Sequence, residues 1–332
     1  MIRFFANANY DFIKWRRWAY GLTALVIVPG MILLAARGLN YSIEFTGGTL
    51  LQVEMKQAVP TADLRSMLDR AGIHGVEIET FGADTAYLIR ARIGAGATTP
   101  GGGTEETAAA VRQALTTQYA GDTTAYKIVR YEAVGPKVGR ELQGKAFLAI
   151  LFSFVVTLIY LAIRFEWRFG LAAVLATFHD ILTTIAFIRY LNLEVSLVVV
   201  GAVLTMVGYS LNDTIIIFDR VRENLRKYKK DTFEQTLNRS INETLPRSVL
   251  THGTTLASLT ALTVFGGEVI RPFALVMFFG VFTGTFSSIY IASPVLMAIE
   301  KRWPGPHARG AKAGKTAPPA PSAPSGRKVP VG

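Results

Sequence analysis

The sequence predicts an α-helical polytopic membrane protein with six transmembrane helices and one α+β ferredoxin-like extracytoplasmic domain between helices 1 and 2. Two observations support this fold class. Half of the 332 residues are hydrophobic, and the apolar residues lie in long runs instead of alternating with polar ones. A helix of roughly 20 residues crosses the hydrocarbon core of a bilayer. The runs of this kind cover residues 19–36, 146–163, 169–188, 195–218, 249–265 and 272–299.

The first run also allows a second interpretation, because four basic residues precede it as they do in a signal peptide. The run is long for the apolar part of a signal peptide, and no cleavage site of small residues follows it. We therefore expect a retained transmembrane helix. The run over 249–265 is the least apolar of the six, because it is rich in hydroxyl side chains.

The distribution of positive charge predicts the orientation in the membrane. The net charge is +11, yet residues 37–145 hold as many acidic as basic side chains. The excess lies in residues 1–18, 219–247 and 300–332. Lys and Arg accumulate on the cytoplasmic side of membranes. We therefore expect a cytoplasmic N-terminus, an amphipathic basic helix along the cytoplasmic surface over 219–247, a disordered basic cytoplasmic tail over 300–332, and no nucleic-acid partner.

The only large stretch between runs, residues 37–145, alternates between strand and helix patterns. The order β-β-α-β-β-α-β predicts an antiparallel sheet with helices on one face. The strands are expected at YSIEF (41–45), TLLQVEM (49–55), GVEIETF (75–81), TAYLIRARI (85–93) and YKIVRYEAV (126–134), and the helices at 61–72 and 105–120. The glycine-rich stretch 93–104 is expected to be a flexible loop.

Polar side chains inside the fourth apolar run point to a function in the membrane. Asp213 precedes Arg220 by about 10 Å of helix, at 1.5 Å per residue, which is too deep for its short side chain to reach the interface. A charge at the bilayer centre costs roughly 2.5–3.5 kcal/mol on insertion scales, so such residues face a cavity or a partner. Thr205, Tyr209 and Asn212 are expected on the same side of the helix. Asp180, in the third run, is a second buried acid.

A cation for these acids is available at the start of the fifth run, where Arg247 is found. A stripe of hydroxyl residues follows it at helical spacing: Thr251, Thr254, Thr255 and Ser258. A carboxyl group near an arginine can take up and release a proton, and alternating exposure to the two sides makes a proton relay. We predict a relay of Asp213, Arg247, Asp180 and Asn212, with the hydroxyl residues as its polar lining. In the alternative interpretation, the acid and amide only join helices by hydrogen bonds, and the hydroxyls bond to their own helix.

The chain shows no other chemistry that would indicate an enzyme. It has no cysteine, and its four histidines share no metal-ligand spacing. The glycines at 101–103 are not followed by the pattern of a phosphate-binding loop. We expect no metal and no cofactor, with a proton as the coupling ion.

Six segments together resemble the SecF family, in which SecF is the smaller partner of SecD in bacterial protein export. In chain order they are FTGG (45–48), VGPKVG (134–139), HD (179–180), NDTIIIFDRVREN (212–224), LPRSVLTHGTTL (245–256) and RPFALVMFFGVFTGTFSSIYIASP (271–294). The similarity extends to about Arg302 and is specific because all six segments occur in this order.

The resemblance implies half of a transporter of the RND superfamily in the bacterial inner membrane, with SecD supplying six further helices. The complex, often with YajC, would associate with the SecYEG channel and use the proton motive force to promote preprotein translocation at the periplasmic side. The family's acid on the proton path matches Asp213, and its arginine companion matches Arg247. Asp180 also matches a family position.

The motif at the start of the soluble domain comprises Glu44, Phe45, Thr46, Gly47 and Gly48. The family commonly has Asp at the first position, so Glu44 keeps the charge and extends the reach by one methylene. The two glycines permit positive φ or close backbone approach, which predicts a structural role.

Two other functions remain open. A half-transporter of an RND-type small-molecule or lipid exporter would have an apolar substrate pocket in the soluble domain. A non-conducting Sec scaffold would tolerate neutralisation of Asp213. The stoichiometry with SecD and the choice between proton and sodium are also open.

Overall fold

The structure is a computed structural model that describes Phe5 and residues 8–91, 104–119 and 125–305. A short 3₁₀ turn, Ile13–Trp15, leads into the first long helix, α1 (Arg16–Arg37). The predicted first run, 19–36, lies entirely within this helix. Gly38, with φ of +66°, ends it, and its N–H donates to the carbonyl of Leu34.

An α+β unit follows α1. Its elements in order are β1 (Asn40–Tyr41), α2 (Ile43–Thr46), β2 (Gly48–Met55), α3 (Thr61–Arg70), β3 (Glu77–Phe81), β4 (Ala83–Ala91), α4 (Thr104–Gln118) and β5 (Tyr126–Val134). The sheet order is β3-β4-β2-β5, and every pair in it is antiparallel. Helices α3 and α4 contact each other and the sheet, enclosing a core that includes Leu51, Leu68 and Ile89. The α+β prediction therefore holds for this unit.

The first predicted strand, YSIEF, is wrong. Only Asn40–Tyr41 is extended, and β1 pairs in parallel with β6 (Glu194–Val195), outside the four-stranded sheet. The chain then turns through α2, which ends at Gly47 with φ of +74°. This turn reverses the chain before β2, so the alternating pattern of 41–45 serves two short elements. The predicted loop over 93–104 lies outside the described residues except for Thr104, the first residue of α4.

The described residues after β5 are mainly helical. The helices are α5 (Pro136–Arg164), α6 (Trp167–Tyr190), α7 (Leu197–Lys227), α8 (Phe233–Phe265), α9 (Gly267–Ser287) and α10 (Ser293–Arg302), and a π-helical turn, Ser288–Ala292, joins the last two. Only Phe165 and Glu166 separate α5 from α6, and the two helices are in contact, as the short RFEWR connection predicts. We call the helix ends nearest the α+β unit (Arg37, Pro136, Tyr190, Leu197) the domain end, and the opposite ends the far end.

In the part of the chain that the structure describes, five helices are long and apolar enough to cross a membrane. They are Ile13–Arg37, Lys137–Leu161, Trp167–Tyr190, Leu197–Lys227 and Val269–Arg302. Within the described residues, α8 does not meet the same criterion, although its second half contains the predicted run 249–265. Its polar and hydroxyl side chains lower the hydropathy. The chain is thus a multi-pass helical membrane protein.

The basic segment 219–247 is not a separate surface helix. Residues 219–227 continue α7, and residues 233–247 form the first part of α8. Between them, Thr232 and Gln235 form a capping box that starts α8. Leu237 and Ile241, in the first part of α8, are buried in the core, so this part of the segment packs as a continuation of the long helix.

The C-terminal prediction needs a smaller correction. Residues 300–302 belong to α10, and Glu300 is nearly buried against Arg168 of α6 at 2.6 Å. The N–H of Gly305 donates to the same carboxylate at 2.6 Å. Residues 306–332 of the predicted tail lie outside the described part of the chain.

The helical unit has a polar layer between two apolar clusters. Phe169, Phe218 and Leu296 belong to the cluster towards the far end. Val199 and Met277 belong to the cluster towards the domain end. Buried polar side chains lie between the two clusters along the helices: Asp180, Ser210, Asp213, His252 and Ser287. This layer contains the candidate site.

Candidate functional site

Asp213 lies on the buried face of α7, with 3% of its surface exposed. Asn212 and Thr205 are exposed, so they do not share a side with Asp213 as the sequence predicts. Successive helical residues are 100° apart, whereas residues seven apart lie on nearly the same face. Tyr209, one turn before Asp213, is half-buried and does face the site.

The basic side chain that the structure brings into contact with Asp213 is His252 of α8. Its Nε2 lies 3.1 Å from Asp213 Oδ2, and both side chains are almost completely buried. The ring of Tyr209 packs edge-on against the imidazole, with 5.6 Å between ring centroids. The Tyr209 hydroxyl and Thr255 Oγ1 are hydrogen-bonded at 2.9 Å, which fixes the tyrosine against α8.

Asp213 and His252 are in close contact, but the contact leaves hydrogen-bonding atoms of both side chains without partners. Within the described residues, neither Asp213 Oδ2 nor His252 Nδ1 has a partner with hydrogen-bond geometry. The 3.1 Å approach is therefore an electrostatic contact whose N–H direction is misaligned. Buried polar atoms are normally hydrogen-bonded, and an unpaired one costs about 1–3 kcal/mol. The two unpaired atoms leave the site with unused hydrogen-bonding capacity.

Arg247, the predicted companion of Asp213, is exposed and forms no hydrogen bond or ion pair with Asp213 in the described structure, but its charge lies near enough to act on the carboxyl group. The inward face of α8 carries Ser248 and His252, both buried. Arg247 precedes Ser248 by one residue and therefore points about 100° away. It shares its exposed face with the predicted hydroxyl stripe.

The hydroxyl stripe bonds mainly to its own helix. Thr254 and Ser258 are exposed and donate to the carbonyls of Leu250 and Thr254, each at 3.0 Å. Thr255 donates to the exposed Thr251 at 2.9 Å and is the stripe residue that also contacts the site, through Tyr209. Thr205 likewise donates to Gly201 on its own helix. These hydroxyls follow the alternative interpretation, with Thr255 as the exception.

Asp180 of α6 is fully buried and saturated with donors. The hydroxyls of Ser210 on α7 and Ser287 on α9 both donate to its Oδ2, the latter at 2.7 Å. His179 Nδ1 lies 3.0 Å from Oδ1. One carboxylate thus joins three helices. Ser210 is one turn from Asp213, so the two acids occupy the same layer without touching.

The sequence analysis missed His252. The signal was available, since a histidine inside a membrane helix is itself a candidate functional residue. Its position four residues after Ser248 and three before Thr255 also defines an inward face. The prediction used the hydroxyl stripe instead, which starts at Thr251, one residue before His252, and therefore lies on the outer face of the helix.

The motif at 44–48 connects the α+β unit to α7, the helix of Asp213. Glu44 Oε2 accepts a hydrogen bond from the backbone N–H of Leu197 at 2.6 Å. A carboxylate at this position stabilises a helix N-terminus. Glu44 is one methylene longer than the Asp that the family commonly has, and at this length it makes a short hydrogen bond with the N–H of Leu197. A Cβ on Gly139 would lie 2.9 Å from the carbonyl oxygen of Phe45, so α5 packs directly on the motif.

A second connection joins the sheet to the segment before α7. Arg90 of β4 is almost buried and forms ion pairs with Glu194 of β6 and, at 3.3 Å, with Glu79. Burial raises the pKa of the Glu194 carboxyl, and the Arg90 guanidinium counters this rise only in part. The sheet is thus joined to the membrane helices through a partly buried charge pair.

Comparisons with known proteins agree with this architecture. Residues 114–302 match the family of the protein export membrane protein SecD/SecF, C-terminal, and residues 32–59 match the SecD/SecF GG motif. The chain belongs to the SecD/SecF protein-export family. The GG motif match includes Gly47 and Gly48, which form the turn between α2 and β2.

Curated members of the SecD/SecF family match nearly the whole chain. A protein translocase subunit SecF from Gemmatimonas aurantiaca is 54% identical over 323 residues, covering 96% of each chain. The subunit of the same name from Rhodobacter capsulatus is 39% identical over 302 residues, covering 88% of this chain and 90% of the relative. These relatives are transport components.

Two solved structures of SecDF resemble the chain. The translocon-associated membrane protein SecDF from Thermus thermophilus superposes with a TM-score of 0.79 and 34% identity, over 90% of this chain. SecDF in its super-membrane-facing form superposes with a TM-score of 0.65 and 33% identity, over 94% of this chain. In each case the chain corresponds to 40% of the SecDF chain, so the rest of SecDF lies beyond it.

Proposed function

We propose that the chain is the SecF subunit of the Sec protein-export machinery. Together with SecD it uses the proton motive force to promote preprotein translocation across the bacterial inner membrane, acting at the periplasmic side. One observation carries the proton coupling: a buried carboxylate, Asp213, lies 3.1 Å from a buried histidine, with unsatisfied polar atoms on both side chains. A purely structural contact would be expected to satisfy these atoms.

The exposed polar face of α7 and α8 supports SecD as the partner. On α7 it comprises Thr205, Gly208 and Asn212; on α8 it comprises Arg247, Thr251, Thr254 and Ser258. A lipid-facing surface of this kind is unfavourable, because polar groups in the hydrocarbon region require partners. A second set of helices from SecD, completing an RND-type transporter, covers this face in our proposal.

The proposed contact with SecD helices also explains how α8 can be a sixth transmembrane helix. Helix α8 has 33 residues, about 50 Å at 1.5 Å per residue, which exceeds the bilayer core. It falls short in hydropathy because its exposed face is polar, and that face would contact SecD instead of lipid. We propose that residues 249–265 cross the membrane.

Six crossings place both termini on one side, which we assign to the cytoplasm. The backbone of Tyr10 is hydrogen-bonded in both directions to the Asn242 side chain at the far end of α8. The far end also carries a cavity of about 500 Å³, lined by basic side chains and two acids: Arg164, Arg222, Arg226, Lys227, Asp219 and Glu223. This cationic surface is suited to contact the anionic lipid of the cytoplasmic leaflet. The α+β unit is then periplasmic.

Coupling between the proton site and the periplasmic domain would run through α7. Glu44 holds its first residue, and Glu194, just before it, pairs with Arg90 of the sheet. A shift of α7 on protonation of Asp213 would act directly on both contacts. In this proposal the periplasmic domain contacts the unfolded preprotein, while SecYEG and YajC are partners of the assembled complex. The coupling ion is a proton, and no other cofactor is required.

The test is preprotein translocation into inner-membrane vesicles that contain this chain and its SecD partner in place of the native proteins. A proton gradient is imposed, and wild type is compared with Asp213→Asn, which keeps the size of the side chain but cannot carry a proton. We expect the gradient-stimulated component to fall at least about tenfold while the complex still assembles, since the variant removes the group that exchanges the proton. Asp219→Asn is the matched control, because Asp219 lies on the same helix in an exposed ion pair with Arg164.

Translocation that remains fully gradient-stimulated in Asp213→Asn would overturn the proton path and favour a Sec scaffold. Replacement of the proton gradient by a sodium gradient in the same vesicles tests the coupling ion. The exporter alternative predicts an apolar pocket inside the soluble domain. Among the described residues, an apolar cavity of about 270 Å³ lies between Phe45 and helices α5, α6 and α7, outside the core of the soluble unit.

A further inference from the structure

We propose that Asp213 and His252 act as one proton-sharing pair, in which the imidazole of His252 exchanges the proton that neutralises Asp213. This inference rests on the proposed function and deepens it. It assigns a role to a residue outside the predicted relay, and it places Arg247 as a group that acts on the pair from the neighbouring face of α8.

Geometry is the first support. Asp213 Oδ2 and His252 Nε2 are 3.1 Å apart, and their side chains are 4% and 6% exposed. At this distance in a buried site the two groups interact by well over the energy of one pKa unit, so their protons belong to the pair and not to either residue. A proton can pass between Oδ2 and Nε2 without any change in the bonds between heavy atoms.

The charge states of the pair show what it can do. With one proton the pair is net neutral, either as carboxylic acid and imidazole or as carboxylate and imidazolium. Removal of that proton leaves a net charge of −1, and addition of a second leaves +1. Burial disfavours both charged states, so the one-proton state is the resting state. Release of the proton therefore requires a cation to approach, and entry of the proton requires it to leave.

Arg247 is suited to be that cation. It lies five residues before His252 on the same helix, exposed at the face next to the site. Its approach to Asp213 would stabilise the carboxylate and expel the shared proton. Its return to the outer face, where a partner's helices would lie, would restore the neutral pair. The exposed position of Arg247 is then one of two functional positions.

Other polar groups around His252 have defined places. From α7, Tyr209 faces the ring; from α8 itself, Ser248 and Thr255 lie one turn to either side. From α6, Asp180 accepts a hydrogen bond from Ser210 of α7 and has its neighbour His179 on its other oxygen. On α9, the guanidinium of Arg271 donates to the carbonyl of Thr263, about 16 Å along α8 from His252. The imidazole thus has Asp213 as its carboxylate partner.

The experiment follows the His252 ring nitrogens by ¹⁵N NMR in the purified complex with SecD. The signal is identified by its loss in His252→Gln, whose amide retains a donor at similar reach but cannot titrate. In the wild type we expect the ring signal to titrate in two steps, shared with Asp213. In Asp213→Asn we expect a single step whose midpoint moves by at least about one pH unit. His74, which is exposed in the soluble domain, is the internal control and should titrate identically in both proteins.

Translocation provides the second readout. We expect His252→Gln to lower the gradient-stimulated component about tenfold and to reduce its pH dependence to one step, whereas His74→Gln leaves both unchanged. A His252 signal that titrates identically with and without Asp213 overturns the pair, whether or not Asp213→Asn abolishes stimulation. If Asp213→Asn retains stimulation while the NMR steps remain coupled, the proposed function is overturned and the pair is not. Should His252→Gln fail to assemble, the effect of Asp213→Asn on the ring signal of His252 still decides.

Discussion

Two buried aspartates occupy the same polar layer of the helical unit and are held in opposite ways. Asp180 is fully buried and receives hydroxyls from two further helices, with a histidine on its second oxygen. Asp213 has the His252 imidazole 3.1 Å from its Oδ2, which has no aligned donor in the described structure, and it has a hydroxyl partner in Ser248. The first carboxylate is a junction between helices, and the second is an unsaturated site.

This difference shows that the residue type and its depth in the membrane do not fix a role. Both acids are next to a histidine in space, and both lie in apolar runs. What separates them is the number of donors that neighbouring helices supply. Donors from several helices hold a saturated carboxyl group at a fixed position, whereas an unsaturated one can change its protonation state with little loss of hydrogen bonding.

The largest stability effect should come from Asp180→Ala. The substitution removes the oxygen that accepts from both Ser210 and Ser287, at about 1–3 kcal/mol for each hydroxyl left without a partner. Asp213→Ala should cost less, because fewer donors point at Asp213, among them the Ser248 hydroxyl. Thermal unfolding of the purified complex in detergent measures both. Equal loss of stability in the two variants would contradict the distinction between a saturated carboxyl group at Asp180 and an unsaturated one at Asp213.

The packing around Asp180 provides a second test. A Cβ on Gly284 of α9 would lie 2.8 Å from the Cβ of Ser210, whose hydroxyl donates to Asp180. Gly284→Ala must therefore push α7 and α9 apart, at about 1–3 kcal/mol. The control is Gly144→Ala on α5, where no atom lies within 4 Å of the added methyl. It should be neutral or slightly stabilising, since Ala favours the helix.

We expect the gradient-stimulated translocation of Gly284→Ala, measured at a temperature where the variant is folded, to fall less than that of Asp213→Asn. The expected loss of translocation is smaller because the substitution disturbs the saturated carboxylate and not the proposed proton site. A loss as large as that of Asp213→Asn would indicate that the two acids act as one unit.

The smallest effect concerns the charge pair between the sheet and the segment before α7. Because burial raises the pKa of Glu194, the folded protein binds this proton more tightly than the unfolded chain does. The protonated Glu194 carboxyl group therefore contributes to the stability of the folded protein at acid pH. This contribution decreases as the pH rises from the ordinary carboxyl pKa through the raised one. The Glu194→Gln variant cannot titrate at this position, so its stability does not show this decrease. The melting temperature of Glu194→Gln relative to wild type should rise over that interval by about 2 °C or less, and a constant difference would contradict the raised pKa.

Much of the fold could be predicted from the sequence, because apolar runs and alternating patterns are local signals. Four of the six predicted runs lie entirely within one helix; the run 195–218 starts two residues before α7, and the run 272–299 extends from α9 through the π-helical turn into α10. Strands β2, β3, β4 and β5 lie where alternation places them. The first predicted strand failed because Asn40–Tyr41 pairs with Glu194–Val195, a partner more than 150 residues away that no local pattern reveals. The prediction of a surface helix over 219–247 failed because core contacts with residues distant in sequence hold this segment within α7 and α8.

The sequence by itself determined that this chain crosses a membrane, that it carries acids within its apolar helices, and that it resembles SecF. These properties depend on composition and order along the chain. Only the tertiary structure decided which neighbour each acid has. On a helix, one residue is 100° of rotation, so His252 faces Asp213 while Arg247 and Thr251 face outwards. Likewise, Ser210 and Ser287 saturate Asp180 only because α6, α7 and α9 meet at one point. A carboxylate's role depends on contacts within about 3 Å, and the packing of separate helices sets those distances.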